Sequence, residues 1–386
     1  MNSKLVTYRI QLLVLTLSAG IFSFQLEPFL YARGVATSKI IAVYSIVQIS
    51  SVIFTLFWGK IIHESDKGYL IIRSGILIRV AAISLMCFNI HNTMLVSAVF
   101  LYFFVASCLD LANEAQLMKW TSEEHQNFGR IRMFGSLGFA VSGLVATAII
   151  GLMKTIDSVI LFALLMNMIF VLLSFFRPLK TAGIRKRGKS SVQIDASTIL
   201  LLVLIQIPLI IPYCFNLIMN LHFRESLGTT LESAIFFSGL SLLFSAGISE
   251  ISAFMFINTV IEKIGPKKTI LIGLIASVIR WSLATFSHSP WTFSITFLFH
   301  GICFAFTYIG FLTIVKKRFG NDAISKVLTI SSVCVAVMSA ILSQVFGFVL
   351  KRSDTFTILA LFTFTCAACV IIYYLSFWKN PKYKDY

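Results

Sequence analysis

Ionisable side chains are scarce inside the apolar runs of this 386-residue chain, and the few that occur there are its candidates for chemistry. A charge held in hydrocarbon is costly, so each needs a partner, a proton or a ligand. Arg79 and Arg280 stand mid-run, in Ile76-Leu77-Ile78-Arg79-Val80 and Ser277-Val278-Ile279-Arg280-Trp281. Each guanidinium suits a carboxylate or polar solute in a central cavity, or an ion pair that ties helices together. Glu250 lies among Ser245, Gly247, Ser249 and Ser252. A carboxyl there, balanced between burial and a nearby cation, can take up and release a proton. Glu250 precedes and Arg280 follows the short loop near Glu262 to Lys268 by about 12 residues each, which at ~1.5 Å per residue sets both ~18 Å deep. That match makes Arg280 the expected counterweight of Glu250. Asp110 and Glu114 are spaced i, i+4 and share a helix face; Asp110 is the deeper of the two and the second candidate for proton coupling. Glu27, just before Pro28, fits an outer vestibule or interfacial water, and is a candidate solute contact. His300, about ten residues into its run, can bond a hydroxyl, relay a proton or pack between helices. No cluster has metal-ligand spacing, and no nucleophile elbow or phosphate loop occurs, so neither a cofactor nor an enzymatic activity is expected.

These residues need long helices to hold them at depth. The chain is 58% hydrophobic and 12% charged, against about 25% charged in soluble domains. Its apolar runs are roughly 20 residues long, enough for a helix to cross ~30 Å of hydrocarbon. Twelve such runs predict an all-α membrane protein. An N-terminal six-helix bundle is expected over residues 1–178, a basic linker over 179–197 and a C-terminal six-helix bundle over 198–386. With the amino terminus inside, the inner segments hold 24 Lys and Arg and the outer segments 6. Both termini and the linker are therefore expected on the cytoplasmic side of a cell membrane. The same collar accounts for the net charge of +16 without nucleic acid, because the basic residues punctuate apolar spans and form no basic domain. Gly138, Ser142 and Ala146 recur every four residues and read as a helix-packing stripe. Pro208 and Pro212 favour a bend in the seventh span.

Several segments carry a family resemblance. Phe128-Gly129-Arg130-Ile131-Arg132-Met133-Phe134-Gly135-Ser136-Leu137-Gly138-Phe139 resembles the Y-G-R-I-R-x-W-G-S-x-G-F signature of the major facilitator superfamily's phenylpropionate-permease-like branch, which is related to lactose permease and the nucleoside–proton symporters. Ser249-Glu250-Ile251, Arg280-Trp281, His300-Gly301 with Phe304, and Pro28-Phe29-Leu30 with Gly34 follow in the family's order. The resemblance implies the major facilitator fold, twelve transmembrane helices in two bundles. There are departures. His63 stands where the loop between spans two and three usually has an acid, with Asp66 displaced, and no acid follows His300 as it does in lactose permease.

The function expected is secondary transport by alternating access. The first reading is proton-coupled symport of a small sugar, nucleoside or aromatic acid, through Glu250 or Asp110, with Arg280, Arg79, His300 and Glu27 facing the solute. The alternative is a proton-driven drug or metabolite exporter. Arg130, Arg132 and Gly135, at the inner end of span five, are expected to latch the outward-facing state against Asp66 or Glu64. The expected partners are the solute, protons and membrane lipid, with the chain acting as a monomer.

Overall fold

The computed structural model describes residues 3–64, 68–88, 91–123, 128–176, 194–216, 218–350 and 353–378; within the helices, further side chains, mostly in the second, fourth, fifth and eleventh, lie outside the description. The described residues are helical almost throughout and include no strand. In the N-terminal unit, Met1–Arg187, the long helices are α1 (Ser3–Ala32), α2 (Thr37–Glu64), α3 (Gly68–Cys87), α4 (Asn92–Glu123), α5 (Phe128–Met153) and α6 (Asp157–Ser174). In the C-terminal unit, Gly188–Tyr386, they are α7 (Ala196–Asn216), α8 (Leu231–Ile264), α9 (Pro266–Thr285), α10 (Pro290–Phe319), α11 (Asn321–Leu350) and α12 (Thr355–Trp378).

Among the described residues ten of these helices are long and apolar enough to cross a membrane. The other two, α2 and α11, are 28 and 30 residues long, and a count of twelve spans requires both to cross as well. The helices also wear their apolar residues outside. Leu152, Met255, Phe256 and Phe364 are 62 to 82% exposed, an arrangement stable in hydrocarbon and unstable in water.

Small residues bring helices together in each unit. A Cβ built on Gly138 of α5 would land on the Leu13 carbonyl of α1, and one on Gly20 would land on the Ser142 side chain. The stripe read from the sequence is thus the surface on which α1 and α5 cross. Polar side chains pin the ends. Arg33 pairs with Asp157 at 3.0 Å and donates to the Phe88 carbonyl at 3.2 Å, joining the ends of α1, α3 and α6. Arg318 at the end of α10 pairs with Asp195 at 2.9 Å and donates to Thr198 at 3.1 Å. Asp195 also accepts from the Thr198 amide at 3.3 Å, so it caps α7.

Candidate functional site

Two helices of the C-terminal unit depart from α geometry where they cross. The middle of α8, Leu243–Glu250, is π-helical, and α10 passes through a 3₁₀ stretch, Thr296–Phe299, immediately before His300. Such irregular turns release backbone groups that side chains must satisfy. Here Ser249 does so. Its hydroxyl donates to the Leu298 carbonyl, and the Gly301 amide donates back to it at 2.8 Å. The crossing is tight enough that a Cβ on Gly301 would overlap the Ser249 carbonyl and the Glu250 amide. Glu250, 9% exposed, is thereby held against the residue that follows His300.

Arg280 of α9 reaches the same place. It is 1% exposed, and Nη1 lies 2.9 Å from His300 Nδ1. A guanidinium only donates, so Nδ1 must accept and the imidazole proton sits on Nε2. The cation also lies 4.4 Å from the Phe297 ring centroid and 4.6 Å from that of Trp281. Its Nε is buried with no partner among the described residues. The guanidinium thus turns toward α10, and its ring and hydrogen-bond contacts are with His300, Phe297 and Trp281. Beyond His300, α10 carries a row of parallel rings. His300 stacks on Phe304 at 6.0 Å and 14°, and Phe304 on Tyr308 at 5.7 Å and 12°. Phe254 of α8 meets Phe304 edge-on at 5.9 Å. All four are half-buried. This shelf was readable as an i, i+4, i+8 aromatic spacing, but the many other phenylalanines hid it.

The N-terminal unit carries a parallel arrangement around Arg79. This side chain is fully buried on α3, and Nη2 donates to the Tyr102 hydroxyl of α4 at 2.7 Å. The cation lies 4.6 Å from the centroid of the same ring, on which Phe22 of α1 stacks at 3.6 Å and Phe103 packs edge-on at 5.3 Å. Nε and Nη1 of Arg79 have no partner among the described residues. In each unit, then, the third long helix presents a buried arginine that donates to a ring on the fourth. Sequence reading singled out both arginines and missed Tyr102 and Phe22.

The remaining candidates lie on other helices or outside the described residues. Glu27 is buried at 5% exposure on α1, and Asp110 is exposed on α4. Gly135 is buried, and a Cβ there would sit in ordinary contact with Thr16 of α1. Asp66 and the side chains of Glu64, Glu114, Arg130 and Arg132 lie outside the described residues.

With this geometry the chain can be compared with known proteins. The MFS_1 like family model matches residues 5–364. A curated relative, an uncharacterized transporter YwbF of Bacillus subtilis (strain 168), is 28% identical over 285 residues, which is 72% of this chain and 69% of the relative. Among solved structures, a point mutant of the nucleoside transporter NupG superposes with a TM-score of 0.77 at 15% identity, covering 97% of this chain and 100% of that one. The POT family transporter PepTSo superposes at 0.76 and 9% identity, covering 97% of each chain. These likenesses concern the fold. The chain belongs to the MFS_1 like family, and is a multi-pass membrane transporter of the major facilitator type.

Proposed function

We propose that the chain is a proton-coupled symporter of a small organic solute that carries a flat ring and an anionic or acceptor group. The observation that carries this reading is the crossing of α8 and α10, which sets the buried Glu250 against Gly301, one residue from the Arg280–His300 pair. Glu250 is the proton-binding group, and Asp110, exposed on α4, is the alternative. The positive Arg280, with its buried Nε, and the neutral His300, with its Nε2–H, are the donors for a carboxylate or ring carbonyl. Phe304 and Tyr308 offer the flat surface, since offset ring stacking adds about 0.5–1.5 kcal/mol beyond area burial. In the N-terminal unit Arg79 and Glu27 are the corresponding solute contacts. Alternating access then needs a latch, for which Arg130, Arg132 and Gly135 with Asp66 or Glu64 remain our choice. The Phe128–Phe139 segment supports the phenylpropionate-permease-like branch within the family, and the Lys and Arg bias supports cytoplasmic termini in the cell membrane.

NupG is a nucleoside transporter, PepTSo a POT family transporter and another similar structure the peptide transporter POT, so the panel to test is aromatic carboxylates, nucleosides and short peptides. In proteoliposomes with an inward acid gradient, one of these should accumulate uphill. Glu250→Gln should abolish accumulation while leaving solute exchange intact. Accumulation by Glu250→Gln at the wild-type level moves coupling elsewhere, to Asp110 first. Proton-driven efflux of the same solutes favours the exporter.

A further inference from the structure

The end of the C-terminal unit where α7 turns toward α8 holds a histidine that this transport scheme does not use. His222 begins a π-helical turn, His222–Ser226, and is fully buried. Its ring lies 4.5 Å from Phe293 of α10, 5.2 Å from Phe356 of α12 and 5.8 Å from Phe215 of α7. Nδ1 is 2.6 Å from the Thr355 hydroxyl, which is 2.5 Å from the Ser226 hydroxyl. Nε2 is buried with no partner among the described residues. The imidazole thus ties its own turn to the start of α12 through hydroxyls and packs on rings of α7, α10 and α12.

A neutral ring suits this place. The Ser226 and Thr355 hydroxyls can turn to meet Nδ1 in either neutral tautomer, and Nε2 sits among aromatic rings with no hydrogen-bond partner among the described residues. An imidazolium must donate from both nitrogens, which would set the N–H of a charged ring against carbon at Nε2. We propose that His222 is a proton-binding site linked to opening of this end of the unit: closed, it is held neutral, and the proton binds when the turn lifts off Thr355 and the ring meets water. On the orientation given by the charge bias, this is the outer end. The assignment is independent of Glu250.

Burial pushes the His222 pKa down to about 4, partly opposed by Asp354. Among the described residues the other charged or titratable groups nearby are Arg224 and Glu225 on its own turn, 3.9 Å apart, Glu232 in the first turn of α8, and His288, whose ring lies 5.4 Å from that of Phe356. For a base with a depressed pKa in the closed state, closure is fully supported above the hydrated value of ~6.5 and loses support as pH falls below it. With a closed-state value of about 4, going from pH 8 to pH 5 should favour the open form by about 30-fold. Asp354, itself held below the usual carboxylate range by hydrogen bonds from the Thr357 amide and hydroxyl, stays ionised across that window.

Hydrogen exchange with mass spectrometry on the detergent-purified full chain, corrected for intrinsic exchange at each pH, tests this without any solute. Peptides spanning 218–228 and 353–360 should lose on the order of 10- to 30-fold protection at pH 5 relative to pH 8. His222→Gln should remove that pH dependence, and His288→Gln should keep it. If His222→Gln does not fold, His222→Asn, which keeps an acceptor where Nδ1 stood, gives the same reading. Equal protection at both pH values in the wild type, or a pH dependence that survives in the His222 variant, overturns the proposal.

Discussion

Arg280 donates to His300 Nδ1 at 2.9 Å, so the mid-span cation of the C-terminal unit is matched by a neutral ring rather than fixed in an ion pair with that ring. The relationship predicts a ranking of substitutions. Asn places Oδ1 near where Nδ1 stood and keeps an acceptor for the guanidinium, so His300→Asn should cost under ~1 kcal/mol. His300→Leu leaves a buried charged donor unmet and should cost about 2 kcal/mol. Denaturation of the purified protein in detergent measures both. Equal losses for Asn and Leu would mean that the ring's bulk, not its acceptor, is what matters.

The crossing of α8 and α10 makes a second test sharp. Gly301→Ala forces a methyl into the Ser249 carbonyl. Backbone on both sides must shift, and overpacking of this kind costs typically 1–3 kcal/mol. Gly151→Ala at the end of α5 is the control, because a Cβ there meets nothing within 4 Å, and it should be neutral or slightly stabilising. Gly301→Ala should also impair transport more than its stability loss explains, since it spreads the contact that holds Glu250 beside His300. Wild-type melting by Gly301→Ala in detergent would show that the crossing is looser than drawn.

In the N-terminal unit, Tyr102 serves Arg79 twice, as hydrogen-bond acceptor at 2.7 Å and as the ring beneath the cation at 4.6 Å. Tyr102→Phe removes only the first and should cost about 1.5–3 kcal/mol, the range for a hydrogen bond to a charged group. Tyr102→Leu removes both, along with the Phe22 stack, and should cost about 1 kcal/mol more. If Phe and Leu behave alike, the ring face contributes nothing to holding the buried cation.

Much of this fold is written in the sequence, and the exceptions have identifiable causes. Long apolar runs specify spanning helices because nothing else satisfies backbone groups in hydrocarbon, and the paired Arg79 and Arg280 stood out because charge is rare there. The expected pairing of Glu250 with Arg280 rested on equal depth alone. Depth follows from residue count; the direction in which Glu250 faces depends on helix phase as well, and the π-helical stretch Leu243–Glu250 alters that phase just before it, so residue count alone does not decide that pairing. An unpatterned run such as Leu243 to Glu250 carries no sign of such a stretch. Asp110, deep by count, is exposed on α4, and its face too is set by helix phase. The His300–Phe304–Tyr308 row did carry a signal, a four-residue spacing, lost among 37 phenylalanines.

The last prediction concerns pH and the end of the C-terminal unit where α7 begins. Asp195 is partly desolvated, which raises its pKa, but hydrogen bonds from Thr198 and Ser197 and the Arg318 guanidinium outweigh that and hold it below the ordinary carboxylate value. A carboxylate with a depressed folded pKa stabilises the fold above the unfolded value of ~3.9, and the contribution fades as pH falls through the folded value. Asp195 is 33% exposed and Arg318 19%, so solvent screens the pair and its worth is at most about 1 kcal/mol. Asp195→Asn keeps the helix cap, since Asn caps as well as Asp, and removes only the charge. The stability gap between wild type and Asp195→Asn should therefore stay constant from pH 7 to about pH 5 and close below about pH 4. Raised salt at pH 7 should narrow it. Asp195→Ala should open a wider gap, by about 1 kcal/mol for the lost cap, and that extra part should survive at high salt. A gap between wild type and Asp195→Asn that persists unchanged at pH 3.5 would show that it does not come from the carboxylate's charge, and so not from Arg318.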